Sequence, residues 1–168
     1  MGRLRRDPSR SPRGDTNLTT IQYRPLLPGR VAFIVVHCAA TRPSQDFDVN
    51  DIRRMHLQRG FLDVGYHFVI KRDGTVQEGR PLDRQGAHVA RFNHLSVGVC
   101  MIGGVAEDGV TPENNFTPEQ FASLRRVLSD LQHNHFPHAE ILGHRDIPGV
   151  HKACPSFDVR PWWAAQLH

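Results

Sequence analysis

Three side chains able to ligate a metal stand at strand ends and in one punctuated loop: His37, His144 and Cys154. His144 and Cys154 belong to the stretch Gly143 to Asp158, which reads Gly-His-Arg-Asp-Ile-Pro-Gly-Val-His-Lys-Ala-Cys-Pro-Ser-Phe-Asp. A loop so rich in Pro and Gly packs poorly into a core, which leaves its imidazole, its thiol and the ammonium of Lys152 free to converge on something. His37 follows the continuous apolar run Val31 to Val36, where a buried strand meets a loop. Ligands of open α/β sheets gather at such carboxyl edges. Two neutral imidazoles and one thiolate make a set that Zn²⁺ accepts, with the fourth tetrahedral position left to water. Such a centre keeps a net positive charge, enough to acidify a bound water or polarise a carbonyl. A closed structural site would need a fourth ligand, and His151 is close enough in sequence to supply one.

Other readings of the same residues stay open. Cys154 could act as a nucleophile with His144 or His37 as its base, which makes a cysteine hydrolase. Lys152 carries a compositional signal: lysine occurs only at positions 71 and 152 among 21 basic residues. A compact ammonium beside the candidate ligands suits an oxyanion better than a guanidinium fork does. Tyr66 offers a phenol that can donate a hydrogen bond, or act as a base if a metal lowers its pKa.

The elements that would position these groups are legible from periodicity and punctuation. Asp48 to Gln58 reads as a short helix capped by Asp48 or Asn50 and stopped at Gly60. Gly65 to Ile70 and Thr75 to Glu78 flank an Asp73-Gly74 turn and predict a hairpin. Strict alternation would put Tyr66, Phe68 and Ile70 on one face, with His67 and Val69 on the other. Ser96 to Ile102 is a further apolar strand, and it makes Cys100 a core residue. Cys38, one step beyond His37, reads as a small buried hydrophobe. Thr117-Pro118-Glu119-Gln120 is a capping box, followed by Phe121, Leu124, Leu128 and Leu131 at helical spacing. His133, His135 and His138 then read as an exposed helix end, where imidazoles suit the dipole. Ala139 to Leu142 is a short strand leading to His144. Asp158 starts a last helix whose Trp162 and Trp163 cover the core.

Length and charge narrow the classes. A chain of 168 residues suits one domain with a core that needs no staples. Residues 1 to 15 hold five Arg and two Asp, so +3 of the formal +4 sits in a tail with almost no apolar side chains. Residues 1–20 are therefore expected to form a disordered basic arm, attracted to anionic polymers such as lipopolysaccharide, teichoic acid or nucleic acid, and residues 21–168 the folded domain. Three widely separated cysteines do not form a disulfide framework. No apolar run is as long as a membrane span, and the N-terminus lacks a signal segment, so a soluble protein made in the cytoplasm is expected.

Several motifs, in order, resemble the zinc-dependent N-acetylmuramoyl-L-alanine amidases of the phage lysozyme and peptidoglycan-recognition-protein type. They are Val35-Val-His37-Cys-Ala-Ala-Thr41, Asp63-Val-Gly-Tyr66-His-Phe-Val-Ile-Lys-Arg-Asp-Gly-Thr-Val76, Asn93-His-Leu-Ser-Val-Gly-Val-Cys100, Asn115-Phe-Thr-Pro-Glu-Gln120 and Lys152-Ala-Cys154-Pro-Ser-Phe-Asp158. The likeness runs from about Phe33 to Trp163. It implies an α/β single domain with a central mixed β-sheet flanked by helices. It also implies one zinc on His37, His144 and Cys154, with Tyr66 and Lys152 as catalytic partners and His88 and Asn93 beside the substrate. The implied reaction cuts the amide between N-acetylmuramic acid and L-alanine of peptidoglycan, as a monomeric phage endolysin that reaches the wall at lysis. The family also contains recognition modules that bind muropeptide without cutting it. Some close relatives bind the phage RNA polymerase through N-terminal residues, which makes a polymerase a further implied partner. The sequence departs from these relatives in its Arg-rich first twenty residues and in the spelling of Arg145 to His151.

Overall fold

The first buried strand forms β1, Phe33–Cys38, two residues nearer the loop than the apolar run itself. The computed structural model describes residues 23–167, and the expected basic arm lies outside them. Strands β2 (Phe68–Ile70), β3 (Val76–Glu78), β4 (Ser96–Met101) and β5 (Glu140–Gly143) join β1 in one sheet of order β3-β2-β4-β1-β5. Only β3 runs antiparallel, paired with β2 across the Asp73-Gly74 turn; the β2/β4, β4/β1 and β1/β5 pairs are parallel. This is the mixed sheet flanked by helices that the resemblance implied.

Alternation along the strands splits the core. Ile34, Val36, Val97, Val99, Met101 and Ile70 pack under helices α2 (Pro118–Asp130) and α3 (Val159–Gln166), against Leu124, Leu128, Val159 and Trp163. On the opposite face, Val69 and Cys100 meet Val49 and Ile52 of helix α1, Val49–Gln58. Val35 and Leu142, further along that face, meet Val89 and Ile147, which lie outside the named helices and strands. Helix α1 therefore covers only part of its side. Around His37 the space is taken by imidazole and phenol rings instead.

The helices start where the caps predicted. The Asp48 carboxylate accepts the N–H groups of Asn50 and Asp51, and Asp51 returns a bond to the Asp48 N–H at 2.9 Å. Thr117 Oγ1 accepts the Gln120 N–H at 3.1 Å and donates to the Arg72 carbonyl at 2.6 Å. The buried Gln120 amide donates to the carbonyls of Ile70 and Ile102, pinning α2 to the ends of β2 and β4. Helix α2 runs on into one π-helical turn, Leu131–His135, which leaves His133 and His135 exposed as expected. Trp162 meets Phe121, Phe157 and Trp163 in tilted and edge-on contacts, and both indoles pack against the core.

One expected facing is corrected. Tyr66 packs with Val69 and Cys100, not with Phe68 and Ile70. The regular pleat begins only at Phe68; before it, His67 N–H bonds to Gly98 and the Tyr66 carbonyl accepts from Arg80. Alternation counted back from the strand loses its phase across this irregular step.

Candidate metal centre

Parallel pairing of β1 with β5 sets Val36 against Gly143, so the next residues, His37 and His144, emerge side by side at the carboxyl edge. Their ring centroids are 4.5 Å apart. Gly143 matters for its bare α-carbon, since a Cβ there would come within 2.9 Å of Pro155 Cδ. That close approach, with the Arg145 N–H bonded to the Cys154 carbonyl at 2.9 Å, folds the loop back so that Cys154 faces the histidines. One ligand atom from each of His37, His144 and Cys154 lies within 4.8 Å of the others. Among the described residues the cluster stops at these three, and His151 is exposed outside it. Cys154 Sγ is 3.9 Å from His37 Nδ1 and accepts the Cys38 N–H at 3.3 Å. Two imidazoles and a thiol supported by a backbone donor fit a tetrahedral metal with one open position.

The electrostatics favour neutral, coordinating imidazoles. Burial, then the neighbouring His88 and His144, then Lys152, holds His37 well below its usual pKa. Burial, then the Lys152 ammonium, pulls His144 down to about 4, and Lys152 itself is exposed. The Cys38 and Cys154 thiols adjoin and titrate as a pair, the first ionisation favoured by their hydrogen bond and the second opposed by it. Cys38 is the small buried hydrophobe read from sequence, and its backbone N–H and thiol also meet Cys154. Tyr66 lies 5.0 Å from His37, ring to ring, and burial followed by the nearby cysteines pushes its phenol well above the ordinary value.

His88 sits against the centre with both ring nitrogens engaged, one with His37 and one with Ser96. Asn93 holds that segment in place: its Oδ1 accepts the N–H groups of His88 and Val89, each at 2.9 Å. Asn93 and Ala87 also line a cleft of about 380 Å³ that includes Arg24, Arg80, Tyr23 and Phe61. Arg80 is fixed there by bonds to the Val64 and Gln85 carbonyls and by stacking on Tyr23 at 5.1 Å. Sequence patterns did not single out Tyr23, Arg80 or Ser96: Tyr23 meets Asp63 forty residues on, and the loop contacts of Arg80 and Ser96 follow no helix or strand period.

A profile of the N-acetylmuramoyl-L-alanine amidases matches residues 27–157, a span that includes all three candidate ligands. The chain belongs to the N-acetylmuramoyl-L-alanine amidase family. The amidase is 48% identical over 130 residues to the endolysin of Escherichia phage T7, covering 77% of this chain and 83% of that one. It is 44% identical over 146 residues to the endolysin of Enterobacteria phage T3, covering 87% and 93%. Among solved structures, the amidase LysC of Clostridium intestinale superposes with a TM-score of 0.68 at 25% identity, over 87% of this chain and 93% of that one. Drosophila PGRP-LB in complex with tracheal cytotoxin shares the fold, with a TM-score of 0.69 at 21% identity over 88% and 87%. No helix among the described residues of the amidase is long and apolar enough to cross a membrane.

Proposed function

We propose that this amidase is a zinc-dependent phage endolysin that hydrolyses the bond between the lactyl group of N-acetylmuramic acid and L-alanine of the stem peptide. The observation that carries the reading is the convergence of His37, His144 and Cys154 within 4.8 Å at the edge of the sheet. Zinc held by these three residues would supply Lewis acidity toward the scissile carbonyl. Tyr66, kept protonated by burial, donates to the reacting centre and assists proton transfer. Lys152, whose charge already acts on His144, stabilises negative charge as it develops on the carbonyl oxygen. Asn93 flanks the substrate, a role supported by the cleft that it lines, and His88 stands beside the substrate through its contact with His37.

The endolysin role is supported by relatives that carry that name and that the chain covers over most of their length. In this reading residues 21–168 form a monomeric amidase domain behind a basic arm over residues 1–20. The protein is made in the host cytoplasm and acts on the wall after release, and the arm engages anionic outer-membrane or wall polymers.

Digestion of purified peptidoglycan with and without a chelator tests the reaction. New alanine amino termini, abolished by chelation and restored by Zn²⁺, are expected. New reducing sugar ends would replace the amidase reading, and indifference to chelation would replace zinc chemistry with the thiol nucleophile.

A further inference from the structure

The hydrogen bonds behind His37 run in one direction, and that direction can be read from its fixed end. The Phe92 carbonyl can only accept, so Ser96 Oγ spends its single proton there, at 2.8 Å. Ser96 Oγ can then only accept from His88 Nε2 at 3.3 Å, which places a proton on Nε2. A neutral imidazole carries one N–H, so His88 Nδ1 is bare. That bare nitrogen lies 2.8 Å from His37 Nε2, which must therefore donate. The consequence reaches the metal-facing side: His37 Nδ1 has no proton and presents its lone pair 3.9 Å from Cys154 Sγ.

The ring that makes this relay is seated by missing side chains. A Cβ on Gly98, in the middle of β4, would stand 2.7 Å from His88 Cγ and 2.8 Å from its Nδ1. A Cβ on Gly86 would stand 2.6 Å from His88 Cδ2 and 2.7 Å from the Gly65 carbonyl oxygen, so that glycine also serves the backbone. Gly98 lies within a regular parallel strand, opposite Val35, so the sheet's backbone does not call for glycine there. What the position requires is space for an imidazole lying across the strand.

We propose that His88 is a positioning residue that locks His37 in the Nε2–H tautomer, and that Gly98 is small in order to seat its ring. The proposal rests on the reading of His37 as a metal ligand. Histidine ligands are commonly oriented by an outer acceptor on their second nitrogen, usually a carboxylate or a backbone carbonyl. Here that acceptor is a neutral imidazole whose own tautomer is set by Ser96 and Phe92. No anion is placed behind the metal, and the relay keeps its polarity without one.

The test uses the full chain with ¹⁵N-labelled histidines, metal-free and zinc-loaded. Long-range ¹⁵N–¹H correlation is expected to show His37 protonated at Nε2 in both states. Zinc affinity should fall about 10- to 100-fold in His88→Phe, which keeps a ring and removes the acceptor. It should recover in part in His88→Asn, which restores an acceptor near the Nδ1 position. Gly98→Ala should weaken zinc in the same direction with every donor atom still present, because the added methyl displaces the ring. A proton on His37 Nδ1 in the metal-free wild type overturns the proposal, as does wild-type zinc affinity in both His88→Phe and Gly98→Ala. If the wild type binds zinc no better than Cys154→Ala, the metal reading itself fails. The tautomer of His37 in the metal-free protein then decides the relay alone.

Discussion

Cys154 Sγ accepts a hydrogen bond from the backbone N–H of Cys38, 116 residues earlier in the chain, at 3.3 Å. That donor favours the thiolate, but the Cys38 thiol and burial outweigh it and hold Cys154 well above the ordinary thiol value without a metal, so a bound cation would have to displace the proton. Replacing the sulfur should remove the ligand and leave the fold, since Cys154 belongs to a surface loop and packs only at the margin of the core. Cys154→Ala is expected to purify without stoichiometric zinc and to lose peptidoglycan hydrolysis, with an unfolding midpoint close to that of the metal-free wild type. Full activity in that variant would remove Cys154 from the ligand set.

Tyr66 and Lys152 should separate from the ligands in their phenotype. Tyr66→Phe deletes the donor and keeps the ring that packs on Val69 and Cys100, so it is expected to cost about 10²- to 10⁴-fold in kcat with zinc retained. Lys152→Ala should cost about 10²- to 10³-fold, again with zinc retained. Metal content measured beside the rates checks both. Loss of zinc in either variant would make that residue a support of the centre and not a partner in the reaction.

His67 gives the protein a pH dependence separate from the metal. Its ring is buried, with Nε2 donating to the Arg84 carbonyl at 2.7 Å and Nδ1 accepting the Gly98 N–H at 3.0 Å, so the neutral form is fully bonded. Burial lowers its pKa from 6.5 to about 4, against the opposing pull of the Arg84 carbonyl. The unfolded chain therefore binds the proton first as pH falls, and stability declines from about pH 6.5 down to about pH 4. The loss from this residue is on the order of 3 kcal/mol at the bottom of the window, taking roughly 1.4 kcal/mol per pKa unit. His56, lowered to about 4 chiefly by burial, acts in the same direction. Urea midpoints of the metal-free protein across this range check it; a flat or rising profile on acidification would contradict the buried neutral assignment.

The Arg-rich residues 1 to 15 should matter for access and not for chemistry. Their removal is expected to leave hydrolysis of isolated peptidoglycan unchanged and to weaken action on intact Gram-negative cells. The difference should shrink as salt is raised, because screening shortens the reach of surface charge. Equal killing by the truncated and full chains at low salt would make the arm a bystander.

Much of this protein follows from local chemistry that needs no partner. Thr117 with Gln120, Asp48 with Asp51 and the Asp73-Gly74 turn set element ends through contacts within a few residues, so helix starts and the hairpin were legible directly. The three candidate side chains were legible too, as imidazoles and a thiol at strand ends and in a Pro/Gly loop, and the fold brings them together. Tertiary structure decided what depends on long closures. The order β3-β2-β4-β1-β5 makes His37 and His144 neighbours, and the irregular step before Phe68 turns Tyr66 toward them. The adjacency of Cys38 to Cys154 and the line from Phe92 through Ser96 and His88 to His37 exist only after folding. Periodicity reports which side of its own element a residue takes; it carries no information on which ring another element lays against it. The candidate donor types were therefore written in the sequence, while the nitrogen of His37 that faces Cys154 was chosen by the fold.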